Sequence, residues 1–239
     1  PLELERIKGI NIYETVFSYA EKKEILRKLV VSLQEIHKAE RVSADSFSCK
    51  EVYFKKTIGR LSKIRDLVPF ADNKYIIVNG RSCRNVFYYK RELEKRLEQL
   101  SCDTFYFIHG DCTFSNLMLR RDGSLVFIDP RGYFGYTELY GDARYDWAKL
   151  YYSIVGNYDH FNRREFELEI GEREVHIMIQ SNHWEDMEAD FFEMTGTEPE
   201  EIKLLHAIIW LSLTTYVWQD YDSICGAFYN GLYYLEEVL

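Results

Sequence analysis

The chain has 239 residues, 46% of them hydrophobic and 29% charged, enough for one large domain with a real core or two small ones. Its 30 basic residues stand against 39 acidic ones, a net charge of −9, which argues against a general nucleic-acid surface. Five cysteines, an odd number without a CxxC pair, give neither a disulfide frame nor a zinc motif and read as a reduced, cytoplasmic protein.

Taken in chain order, residues 21–40 are strongly amphipathic, with Ile25, Leu29, Leu33 and Ile36 on one helical face and Leu26, Val30 and His37 beside it. Residues 55–67 predict a second helix that stops before Pro69. "KYIIVNG" reads as a short strand or an extended loop, and "KRELEKRLEQL" as a helix with Leu93, Leu97 and Leu100 on one side. The texture then changes. "TFYFIHG" is β-like, and "NLMLRRDGSLVFID" predicts a hairpin around a tight Asp-Gly turn. Helices are expected over 139–156, 184–195, 200–218 and 222–237, interrupted by a second hairpin at "FELEIGEREVHIMI". The apolar stretch "AIIWLSLTTYVW" falls short of the roughly 20 residues of a membrane span and reads as a buried helix. Trp147, Trp210 and Trp218 are expected in the core.

One interval pattern carries chemistry. "HGDCTFSN" places Asp111 five residues before Asn116, and "VFIDPRG" places Asp129 thirteen residues further on, across the predicted hairpin. Phosphoryl transfer needs an acid to orient the attacking hydroxyl and hard oxygen ligands for magnesium. A hairpin that folds the later acid back toward the earlier loop brings all three residues to one pocket. The bland alternative is three turn-forming residues at coincidental spacing.

The ordered set "HGDCTFSN", "LML", "DGSLVF", "ID" and "GDARYDWAKLYY" resembles the catalytic core of the aminoglycoside phosphotransferase and choline kinase family, relatives of protein kinases, over residues 109 to about 150. The resemblance implies a mainly α fold with small β-hairpins, the C-terminal lobe of a protein-kinase-like architecture. It implies ATP and Mg2+ as cofactors, with Asp111 facing the acceptor hydroxyl and Asn116 and Asp129 as magnesium ligands. His109 would buttress the loop, and Asp146 would accept backbone N–H bonds from it. Leu119 and Ile128 would lie beneath the nucleotide base. Arg131 would contact a phosphate or an anionic substrate, or pair with a neighbouring acid. Asp142 reads equally as a substrate ligand and as a helix cap.

"LELERIKGINIYE" resembles the end of that family's inter-lobe hinge, and no phosphate-covering glycine loop with a strand Lys occurs in the first hundred residues. The expected organisation is one C-lobe domain: hinge end over 1–20, a helical part over 21–100, the loops over 101–135 and a helical substrate side over 136–239. Its N-lobe partner in cis would lie outside the chain, which alone would then bind nucleotide weakly.

Acceptors implied by the resemblance are sugars, choline or ethanolamine, and aminoglycosides. "IDPRGYFG" in place of an acidic run weakens the aminoglycoside reading, while net acidity and 16% aromatic residues favour an amino-alcohol. Two other readings stand beside a small-molecule kinase. One is a non-catalytic nucleotide-binding or regulatory module on the same fold. The other, a protein kinase, fits poorly, because HGD replaces HRD and no Ala-Pro-Glu element follows Asp129.

Overall fold

The computed structural model describes residues 5–100 and 102–239. The first four residues of the expected hinge segment, and Ser101 at the head of the loop region, lie outside the described residues. Roughly half of the chain is helical and the rest holds several small sheets.

In chain order the elements are β1 (Gly9–Asn11), α1 (Tyr19–Ala39), β2 (Arg41–Ser43), α2 (Ser46–Lys50), a π turn (Glu51–Lys55), α3 (Lys56–Ile64), β3 (Tyr75–Val78), β4 (Arg81–Arg84), α4 (Val86–Glu98) and β5 (Thr104–Phe107). A 3-10 turn (Phe114–Asn116) leads into β6 (Leu117–Arg120) and β7 (Leu125–Phe127), then the two-residue strands β8 (Tyr133–Phe134), β9 (Thr137–Glu138) and β10 (Tyr140–Gly141). There follow α5 (Ala143–Ile154), α6 (Tyr158–Asn162), β11 (Phe166–Ile170), β12 (Glu174–Ile179), α7 (Glu188–Thr195), α8 (Pro199–Leu213) and α9 (Tyr221–Leu235).

Capping sets several of these boundaries. Ser18 and Glu21 form a reciprocal capping box at the start of α1. Asp45 caps α2 through Phe47 N, so the helix expected over 55–67 begins nine residues earlier, runs through a π turn and ends at Ile64. Asp142 caps α5, and residues 140–141 before it pair with β5, so the helix expected from 139 begins at Ala143. Helix α8 ends at Leu213 rather than at 218. Trp218 therefore leaves the helical register and is 69% exposed, a correction to its expected core position, whereas Trp147 and Trp210 are buried.

The two predicted hairpins form, β6–β7 and β11–β12. β1 joins the first antiparallel to β6, and Gly9 permits this approach: a Cβ there would stand 2.8 Å from the Leu119 carbonyl oxygen. β3 and β4 form a further hairpin, linked to β12 by a parallel pairing into a four-stranded sheet. The core lies between α5, α8 and α9, with Tyr151, Tyr152, Trp210 and Phe228 almost fully buried. No described helix is long and apolar enough to cross a membrane.

His206 sits in this core, accepts the Trp210 indole N–H at 2.9 Å and is held by burial, and secondarily by Lys203, at a pKa of about 3. Between about pH 6.5 and 3 the unfolded chain binds a proton there that the folded chain refuses, so folding stability falls as pH drops below 6.5. Urea unfolding at pH 7 and pH 5 should show the loss, and His206→Gln should reduce the difference between the two. An unchanged difference in the variant would assign the acid sensitivity to other groups.

Candidate active site

The "HGDCTFSN" loop follows β5, and its shape is imposed from helices α5 and α6. The buried Asp146 carboxylate accepts His109 N at 2.9 Å and Gly110 N at 2.6 Å. Ser153 Oγ accepts Phe114 N at 2.9 Å, and Asp159 accepts Ser115 N at 2.7 Å. Asp146, Lys149 and Ser153 fall at i, i+3 and i+7 of α5, which puts them on one face. That face is turned to the loop. Burial alone would raise the Asp146 pKa, but His37, 3.0 Å away on α1, and the two loop N–H groups hold it below the usual carboxylate value.

The glycine of HGD has a physical reason. Gly110 has φ +79°, and a Cβ on it would meet the Arg131 Cβ at 2.8 Å. Arg131 N in turn donates to the His109 carbonyl at 2.7 Å, which ties the segment after Asp129 to the loop before Asp111. His109 is buried, its Nδ1 accepts Asp111 N at 3.3 Å, and its Nε2 has no partner among the described residues. Cys112 is fully buried, and burial pushes its thiol well above the ordinary range, which makes it inert.

Asp111 opens onto a cavity of about 330 Å³. Its Oδ1 lies 2.8 Å from Lys149 Nζ. Burial would raise its pKa, but Lys149, with smaller contributions from Arg131 and His109, outweighs this and holds the carboxyl below the usual value. Lys149 is itself buried; desolvation works against its charge, and Tyr145 and Asp111 more than compensate.

Asn116 and Asp129 are brought to the same end of the first hairpin. Leu117 pairs with Phe127, and Ile128 N donates to the Asn116 carbonyl at 3.0 Å. Asn116 Nδ2 donates to the Asp111 carbonyl at 2.9 Å, so its amide oxygen points elsewhere and takes no hydrogen bond from the described residues. Asp129 is exposed at φ +56°, a left-handed conformation made less favourable by the following Pro130. Its carboxylate has no hydrogen bond or ion pair with any described residue. Strained backbone of this kind persists where the surrounding structure over-determines it, commonly at functional sites. Two hard oxygen donors left unused beside Asp111 are a donor set that suits magnesium, which retains several waters. Leu119 and Ile128 are half-buried on this hairpin, Leu119 in register with Ile10 of β1.

Asp142 does not line this cavity. It caps α5 through Arg144 N, pairs with the Arg144 guanidinium and accepts the Tyr53 hydroxyl at 3.0 Å. Of its two sequence readings, the helix cap is the one the structure shows. Cys49 and Cys102 lie with it, their ligand atoms and a carboxylate oxygen within 4.8 Å of one another, a grouping that cysteine spacing did not reveal. The carboxylate there is already satisfied by Arg144 and Tyr53, which leaves two thiols and no third free ligand.

Among the cavity residues not singled out from sequence are Lys149, Lys56, Arg60 and Tyr145. Lys149 carried a usable signal, being the only basic residue in the run from Tyr145 to Ile154, every member of which is buried. Lys56 and Arg60 share a face of α3, and nothing in their spacing separates them from an ordinary solvated face. Burial, with Arg131, Arg60 and Lys149 nearby, lowers the Lys56 pKa to about 7. Burial would raise the Tyr216 pKa, yet Arg60, Arg131 and Lys149 bring it below its usual value. The Tyr216 shift, which runs against burial, reports a positive potential inside the cavity, whereas burial leads the Lys56 shift and the neighbouring cations add to it.

No protein-family model matches the chain, and no curated protein matches it. Among solved structures, that of LicA in complex with AMP aligns with 94% of this chain at 18% identity and a TM-score of 0.46. The chain spans 63% of the length of that neighbour.

Proposed function

We propose that this chain is the catalytic part of an ATP- and magnesium-dependent phosphotransferase acting on a hydroxyl of a small molecule. The observation that supports this reading is a cavity-facing Asp111 paired with Lys149, next to a hairpin end where Asn116 bonds the Asp111 carbonyl and Asp129 keeps its carboxylate free of described partners.

In this mechanism the acceptor hydroxyl enters from the cavity and donates a hydrogen bond to the Asp111 oxygen not held by Lys149. As the acceptor oxygen bonds to the γ-phosphorus and the bond to the ADP oxygen breaks, Asp111 takes the hydroxyl proton. Lys149 keeps Asp111 ionised and fixes its orientation. Asn116 and Asp129 would hold magnesium, which would supply charge neutralisation on the nucleotide phosphates. Leu119 and Ile128 lie under the base. His109 and Asp146 position the loop. A regulatory module that binds nucleotide without turnover is the second reading, and the intact Asp111–Lys149 pair disfavours it.

The magnesium assignment has its own test. Asp129→Ala should abolish the magnesium dependence of ATP binding and leave thermal stability unchanged, because the carboxylate supports no other described group. Isothermal titration with and without magnesium reads the first and a melting curve the second. Equal magnesium dependence in the variant would remove Asp129 from the site.

A further inference from the structure

The cavity beside Asp111 has a charge opposite to that of the protein. The chain carries −9 overall, yet Lys56, Arg60, Arg131 and Lys149 line this one space and Asp111 is the sole acidic residue on its wall. Lys149 already occupies that carboxylate. Among the described residues, Lys56, Arg60 and Arg131 make no ion pair with any acid. Arg60 donates to the Ser212 carbonyl and hydroxyl at 2.6 and 2.9 Å and lies 4.2 Å from the Tyr216 ring centroid. Arg131 donates to the Tyr145 hydroxyl at 2.9 Å. Neutral contacts of this kind orient a guanidinium and leave its charge uncompensated.

The three basic side chains come from two separated segments, and an anion bound among them would draw Lys56, whose pKa burial and its neighbours bring to about 7, to its charged form. The π turn at Glu51–Lys55 joins α2 to α3, and side chains from the turn (Val52, Tyr53) and from α3 (Lys56, Arg60) face the cavity. Arg131 arrives from the other side, fixed by its packing on Gly110. Like charges gathered in a partly buried space cost free energy unless an anion joins them. The volume, about 330 Å³, is at the small end of the range for small-molecule sites.

We infer that this cavity takes an acceptor carrying its own anionic group, a hydroxylated small molecule bearing a phosphate or a carboxylate, with that group seated on Lys56, Arg60 and Arg131. The role of the acceptor hydroxyl rests on the phosphotransferase reading; the anion site does not. An amino-alcohol, favoured in the sequence by net acidity and aromatic content, would bring a cation to a positively charged wall, so net charge is the wrong guide here and local charge the right one.

The test is a set of calorimetric titrations of the full protein with inorganic phosphate, glucose 6-phosphate, glucuronate, glucose and choline. Each is run with and without a non-hydrolysable ATP analogue and magnesium. Saturable binding of phosphate and glucose 6-phosphate, or of glucuronate if the site prefers a carboxylate, is expected, with no measurable binding of glucose or choline. Lys56→Met keeps the apolar stem, removes no hydrogen bond to the described residues, and should weaken anion binding about tenfold or more. Arg60→Met should do likewise, and Lys56→Arg should restore most of the affinity. The inference is overturned if no anion binds, if choline binds as tightly as glucose 6-phosphate, or if folded Lys56→Met binds anions like the wild type. Displacement of the anion by the ATP analogue would also overturn it, because the cations would then belong to the nucleotide. Asp111→Asn separates the two claims. If ATP turnover survives that change while anion binding still follows Lys56, the phosphotransferase mechanism fails and the anion site stands. If turnover is lost but Lys56→Met is silent, the reverse holds.

Discussion

Replacing Asp111 with Asn is expected to lower the rate of phosphoryl transfer about a thousandfold, within the range for loss of a positioned general base. The amide keeps the shape of the side chain but cannot accept the hydroxyl proton. It also releases Lys149 from a 2.8 Å ion pair, so some reorganisation of the cavity wall will accompany the loss. Nucleotide binding should change little, since Asn116 and Asp129 lie on the hairpin side of the loop. The pH profile adds a signature. Lys149, opposing burial, holds the Asp111 pKa below its ordinary 3.8, so the base stays ionised as pH falls toward that value. Turnover should therefore show no acid limb from Asp111 between pH 5 and 7. A variant within tenfold of wild type would remove Asp111 from the chemistry.

The largest effect on stability is expected from Asp146→Ala, a loss of about 3–5 kcal/mol. The side chain is fully buried and serves His37 and two loop N–H groups at once. Its removal leaves those donors without a partner in a space that water does not reach, and an unpaired buried donor costs more than the bond it made. For a chain of this size the melting temperature should fall on the order of 10 °C. The sign with pH follows from the depressed pKa: the Asp146 contribution is present above about 3.8, where the unfolded carboxyl is ionised, and is lost as pH falls below it. A drop smaller than that of an exposed control such as Asp122→Ala would show that α5 does not hold the loop through this residue.

The parts of the fold legible in the sequence are those written by local rules. Asp122-Gly123 turns the first hairpin, with Gly123 at φ +78°, and an apolar run on each side marks its strands. Amphipathic spacing gave α1 and most of α4. The misses have two causes, one an overlooked turn and the other a long-range pairing. Arg81–Arg84 has no β-forming composition and becomes a strand because Asn79 and Gly80, at φ +48° and +75°, turn it back onto β3. That Asn-Gly pair was the available signal. The parallel pairing of β12 with β3 joins segments about a hundred residues apart, and no local pattern encodes it.

The site was legible to the same degree and for the same reason. Asp111, Asn116 and Asp129 follow one another along a loop and hairpin whose geometry is local, so the placement of Asn116 and Asp129 at one end of that hairpin could be read from intervals. The cationic wall could not. Lys56 and Arg60 reach the cavity through a π turn and the packing of α3 on α8, and Arg131 through contact with Gly110. His37 meets Asp146 across 109 positions of sequence. Each of these depends on tertiary placement rather than on spacing.

The central claim is most directly tested by following magnesium-dependent ADP formation, together with the phosphorylated product, in the full protein. The panel of acceptors is anionic sugars and polyols, neutral sugars, choline and aminoglycosides. One anionic acceptor should stimulate ADP release, acquire the γ-phosphoryl group in equal amount, and lose that stimulation in Asp111→Asn. Stimulation that persists in Asp111→Asn, or ATP bound with magnesium but never turned over with any acceptor, would contradict the account and favour a nucleotide-binding module in its place.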